Sequence, residues 1–104
     1  MRTNPFDLLT DDPLELSLIT TKAKLVRIAI EEIRVKGWNQ KQTAEFLEIS
    51  QPRVSNLFKS QLDKFSLDTL FTIVSRLGGY LPEVTFRPGD ELRPISIELK
   101  KAEL

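Results

Sequence analysis

The 104-residue chain contains no cysteine and no histidine. It therefore has no disulfide framework, no thiolate or imidazole metal ligand, no cysteine nucleophile and no histidine general base. No apolar run approaches the roughly 20 residues that span a bilayer. The opening stretch MRTNPFDLLTDDPLELSL is acidic and broken by prolines, unlike a signal peptide. A glycine-rich phosphate loop and a cluster of carboxylates are missing too, so nothing supplies an activated nucleophile or a general base. These absences predict a cytoplasmic non-enzyme with no cofactor, no metal and no membrane partner.

What is present is an ordinary globular mixture, 40% hydrophobic and 29% charged, with enough Leu, Ile, Val and Phe to fold. The length suits one compact domain plus an arm. The net charge is zero but unevenly spread. Residues 1–19 hold one arginine against four acids, residues 20–66 nine Lys and Arg against five acids, and residues 67–104 five against six. A basic middle between an acidic arm and a near-neutral tail can steer toward phosphate although the total charge cannot.

The pattern reads as mainly α, a bundle of about four to five helices followed by a short C-terminal β segment. Asp12, Pro13 and Glu15 form a helix start, and Val26, Ala29, Ile30 and Ile33 make an i, i+3, i+4, i+7 stripe that Gly37 closes. The β-branched run Ile19-Thr20-Thr21 invites a break, but one long helix is the preferred reading. Asn39 and Gln42 form a second capping pair for a helix over about 40–48, with Ala44 and Leu47 inward. Ser50 caps a third helix, in which Pro52 is tolerated because first-turn amides have no intrahelical partner. Ser66 caps a fourth, carrying Leu67, Leu70, Phe71, Val74 and Leu77 and ended by Gly78 and Gly79. Alternation over 80–87 and 95–99, joined by RPGDELRP, predicts a β-hairpin or two edge strands, limited by prolines 82, 88 and 94.

Two short helices joined by a three- or four-residue turn describe a helix-turn-helix. In QKQTAEFLEISQPRVSNLF, Ala44 is small at the helix crossing, Leu47 and Ile49 plug the corner, and Val54 and Leu57 anchor the second helix from beneath. Its other side carries Gln51, Pro52, Ser55, Asn56 and Lys59, with Arg53 at the flank. Gln and Asn can pair with adenine, Arg with guanine, Ser with either, and Pro52 offers an apolar contact to a thymine methyl. Gln40, Lys41 and Gln42, at a helix start, can hold a phosphate, although capping by Asn39 and Gln42 explains the same residues. Lys59 and Lys64 are further phosphate candidates. Arg53 has two uses open to it, a base or an ion pair with Glu45 or Glu48. Trp38 beside Gly37 reads as a hydrophobic cap on the core rather than a stacking platform. Asp11 with Asp12, and Asp90 with Glu91, read as caps and turns rather than a metal pair.

The segment from Trp38 to Val84 resembles the XRE family, the lambda Cro and repressor group, and is most similar to its HigA-type antitoxin branch through ISQPRVS and the FSLDTL helix. The resemblance covers roughly residues 25–86. It implies a motif start at Gln40, the small crossing residue at Ala44, the turn hydrophobe at Ile49, and base-reading positions at Gln51, Pro52, Ser55 and Asn56. The family usually has glycine where this chain has Glu48, at a point where the turn often takes positive φ, so either strain or an altered turn is expected there, with an acid near the DNA-facing side.

The organisation expected is an acidic N-terminal arm and helix start over 1–19, a DNA-binding unit over 20–79, and a C-terminal β segment over 80–104 that could serve dimerisation. The function expected is a bacterial or phage transcriptional regulator, an autorepressor that binds a palindromic operator in double-stranded DNA as a homodimer. The resemblance further implies a RelE-type ribonuclease toxin as partner, gripped by the acidic arm through Phe6, Leu8 and Leu9. The alternative is a protein-interaction module that neutralises such a toxin with little DNA binding of its own.

Overall fold

The computed structural model describes residues 10–102. The apolar anchors Phe6, Leu8 and Leu9 lie outside the described residues. The element order is α1 (Pro13–Lys36), α2 (Gln40–Leu47), α3 (Gln51–Phe58), a single 3-10 turn (Leu62–Lys64), α4 (Leu67–Gly78), β1 (Tyr80–Phe86) and β2 (Ile95–Lys101). It is a helix-turn-helix bundle with a two-stranded antiparallel sheet at its C-terminal end.

Asp12 accepts from the Leu14 amide at 2.9 Å, and Pro13 occupies the first helical position. The β-branched run does not break α1. Thr20 and Thr21 donate their hydroxyls to Leu16 O and Ser17 O, each at 2.8 Å, which satisfies these side chains within the helix. The residue 19/20 boundary therefore falls inside one continuous helix. Arg34 and Lys36 sit in the last turn, where the helix dipole favours cations, and Gly37 ends it at φ 70°.

The core is built where the four apolar stripes meet. Leu25, Val26, Ala29 and Ile33 of α1 pack with Leu47 of α2, Leu57 of α3, Phe65, and Leu70, Ile73, Val74 and Leu77 of α4. Each large aliphatic or aromatic side chain buried this way is worth about 1.5–3 kcal/mol. Trp38 is half-buried against this core, 4.7 Å from the Phe46 ring, which is the capping position expected of it.

The two glycines that close α4 do different jobs. Gly79 takes the left-handed conformation, φ 68°. Gly78 remains helical, and a Cβ there would run into the Tyr80 ring, so its value is the space it leaves. Tyr80 uses that space to reach α1, donating its hydroxyl to Glu32 Oε1 at 3.2 Å.

The hairpin pairs Tyr80 with Lys101 through to Phe86 with Ile95, so β2 runs two residues past the expected Leu99. Asp90 shapes the connection by accepting from the amides of Leu92 and Arg93 at 3.1 and 2.9 Å. The radius of gyration is 15.5 Å, against about 13 Å for a compact chain of this length. The hairpin extends outward from its base at Tyr80 and Leu99, the two sheet residues that pack against the core.

Candidate nucleic-acid interface

The site begins with a reciprocal cap. Asn39 Oδ1 accepts from the Gln42 amide at 2.8 Å while Gln42 Oε1 accepts from the Asn39 amide at 2.9 Å. Gln42 thus has a structural task, and the amides of Gln40 and Lys41 remain as the open donors at the start of α2. Thr43, a residue the sequence reading passed over, is fully buried and donates to Asn39 O at 2.8 Å. Its position four residues after the cap was the available signal.

Ala44 and Leu47 are buried where α2 meets the core, and Ile49 packs against it from the turn. Between them Glu48 adopts φ 58° and ψ 41°, the left-handed geometry expected at this point. Left-handed backbone costs a non-glycine residue about 1–2 kcal/mol. Ile49 N donates to Ala44 O at 3.1 Å, which closes the turn. Ser50 then caps α3 by accepting from the Arg53 amide at 3.3 Å. Pro52 stands at the second helical position, where an amide is not needed.

Val54 and Leu57 are completely buried, so α3 is held from beneath and its remaining face is turned away from the core. Gln51, Pro52 and Lys59 are exposed, and Ser55 and Asn56 are half-buried. Among the described residues none donates to or accepts from the side chains of Gln51, Ser55 or Asn56. Gln40, Lys41 and Lys64 are exposed as well.

Arg53 has partners the sequence did not disclose. Its guanidinium lies 4.6 Å over the Phe65 ring and donates through Nη1 to Lys64 O at 3.1 Å. Neither Glu45 nor Glu48 is involved. Lys64 and Phe65 are more than ten residues away along the chain, so only the folded bundle brings them under α3.

The family described as "Helix-turn-helix domain" matches residues 7–82, which takes in all four helices and the first strand as far as Pro82. No curated protein and no solved structure matches the chain.

Proposed function

The chain belongs to the helix-turn-helix domain family, and on that premise we propose that it is a sequence-specific DNA-binding transcriptional regulator of the XRE type. The carrying observation is the outer face of α3. Among the described residues none uses the side-chain donors and acceptors of Gln51, Ser55 and Asn56, which stand on a helix fixed from beneath by Val54 and Leu57. A short helix so held can enter the major groove, with Gln51 and Asn56 reading adenine, Ser55 either base and Pro52 a thymine methyl. The Gln40 and Lys41 amides, with Lys41, Lys59 and Lys64, hold phosphates on either side. Arg53 serves as a strut that sets the angle of α3.

The regulator binds as a homodimer, because one recognition helix covers too little surface for operator affinity and two-fold proteins match half-sites about 10 base pairs apart. Occlusion of its own promoter gives autorepression. An antitoxin role is supported only by the resemblance of the motif and by the acidic composition of residues 1–19. Among the described residues no helix is long and apolar enough to cross a membrane.

The test is anisotropy with a duplex from the chain's own upstream region and a scrambled duplex, at two salt concentrations. The native duplex is expected to bind more tightly, and Asn56→Ala to remove about 1–3 kcal/mol of that preference while leaving scrambled DNA unaffected. Equal losses on both duplexes would show that α3 does not read bases.

A further inference from the structure

We propose that the outer edge of β2 is a self-association edge, on which a second copy of this chain adds its own β2 antiparallel. The product is a four-stranded sheet in the order β1-β2-β2-β1, with Ile97 on the two-fold axis. The inference deepens the dimeric reading above and rests on it only for its purpose.

The hydrogen-bond phase of the hairpin decides which edge is open. Arg87 N donates to Pro94 O at 2.7 Å, and Ala102 N donates to Gly79 O at 2.8 Å. Bonded and non-bonded pairs alternate along an antiparallel ladder. The pairs 81/100, 83/98 and 85/96 therefore bond inward, and residues 80, 82, 84 and 86 of β1 and 95, 97, 99 and 101 of β2 point their backbone groups outward. On β1 that outward row is interrupted by Pro82, which has no N–H. A groove against Phe71, Ser75 and Arg76 of α4 is lined by Tyr80, Leu81 and Pro82 of β1 and by Ile97 of β2, so it borders both strands and leaves the proline as the difference between the two edges. On β2 all four outward residues keep both N–H and C=O, with no proline from 95 to 101. One edge is blunted in the way natural sheets blunt edges, and the other is left open.

The occupant follows from charge and side-chain match. The face shared by Pro82, Val84, Phe86, Ile95, Ile97 and Leu99 carries no charge until Lys101 at its base. Val84, Phe86, Ile95 and Ile97 are 65%, 66%, 61% and 56% exposed. When Ile97 lies on the axis, residues 95–99 meet their copies with no like-charge opposition, and the like pair of that register, Arg93 opposite the partner's Lys101, falls at its two ends, where Arg93 lies before the start of β2. Ile95 then stands opposite the partner's Leu99, and Ser96 opposite the partner's Glu98. Moving the axis to Glu98 sets that carboxylate against its own copy and Ile95 against the partner's Lys101. Moving it to Ser96 leaves only residues 95–97 paired strand to strand, with Leu99 opposite the partner's Arg93 beyond the strand. Like charges directly opposite destabilise a strand pair, whereas apolar pairs support it. The family match ends at Pro82, so most of the hairpin is an addition beyond the helix-turn-helix unit.

The experiment compares two proline variants of the full chain by sedimentation equilibrium at micromolar concentration, without DNA. Val84 and Ile97 are cross-strand neighbours on one face, and both point their amides outward, so neither Val84→Pro nor Ile97→Pro removes a hairpin hydrogen bond. Pro82 shows that the hairpin accepts proline in this phase. The wild-type chain and Val84→Pro are expected at the mass of two copies and Ile97→Pro at the mass of one. A monomeric wild type would overturn the proposal. Two monomeric variants would overturn it in favour of face-to-face packing, and two dimeric variants would place the interface elsewhere. Should Ile97→Pro lose its helical circular dichroism, residue-resolved amide exchange of the wild type decides. Protection at Ile95, Ile97 and Leu99 but not at Val84 and Phe86 supports the edge, and equal exchange on both strands rules it out. Base reading is measured separately through Asn56→Ala, so either idea can fail alone.

Discussion

The guanidinium of Arg53 lies over the ring of Phe65, 4.6 Å from its centroid, and a hydrogen bond to Lys64 O keeps it there. The arginine therefore braces α3 against the segment that leads into α4. Arg53→Ala is expected to cost about 1–2 kcal/mol of stability through the lost cation–π contact and hydrogen bond. On DNA the loss should be equal for native and scrambled duplexes. A loss confined to the native duplex would make Arg53 a base reader instead.

Glu48 holds a left-handed backbone that glycine adopts without a Cβ penalty. Glu48→Gly is expected to raise stability by about 1 kcal/mol in urea unfolding. It should also tighten binding to both duplexes, because an acid leaves the edge of the DNA-facing side. Weaker binding with raised stability would mean that the carboxylate does not oppose phosphate.

Gly78 offers the opposite case. In an ordinary helix Gly→Ala would gain about 1 kcal/mol, yet here the added Cβ runs into the Tyr80 ring. Gly78→Ala is expected to lower the melting temperature, since the ring must leave its seat at the base of the hairpin. A rise would show that the ring moves freely.

Tyr80 donates to Glu32, and that hydrogen bond, followed by the carboxylate's charge and by burial, raises its hydroxyl above the ordinary value near 10.0. The folded chain therefore holds this proton more tightly than the unfolded chain. The contribution is complete below the ordinary tyrosine range and is lost as pH rises through the higher folded-state value. Tyr80→Phe is expected to cost about 1 kcal/mol at pH 7. The difference between wild type and variant should narrow in urea titrations carried into the alkaline range. A difference that stays constant there would refute the role of the hydroxyl.

Much of the fold was legible because its signals are local. Asp12, Asn39, Ser50 and Ser66 each cap the helix that follows, since a side-chain oxygen beside free amides acts within three residues. The 3-10 turn over Leu62–Lys64 was not anticipated, because no cap or periodicity marks it. Gly78 and Gly79 both read as helix stops in the sequence, and only the Tyr80 ring separates their roles.

By itself the sequence determined the helix starts, the buried stripes and the polar outer side of α3, all consequences of short-range capping and of period 3.6, while over residues 80–99 it left a β-hairpin or two edge strands open. Tertiary structure alone decided that Arg53 braces rather than pairs with an acid, that Tyr80 reaches Glu32 across 48 residues, and which hairpin edge stays open. These depend on distant segments meeting and on hydrogen-bond phase, and neither is written in the spacing of residues along one strand or helix.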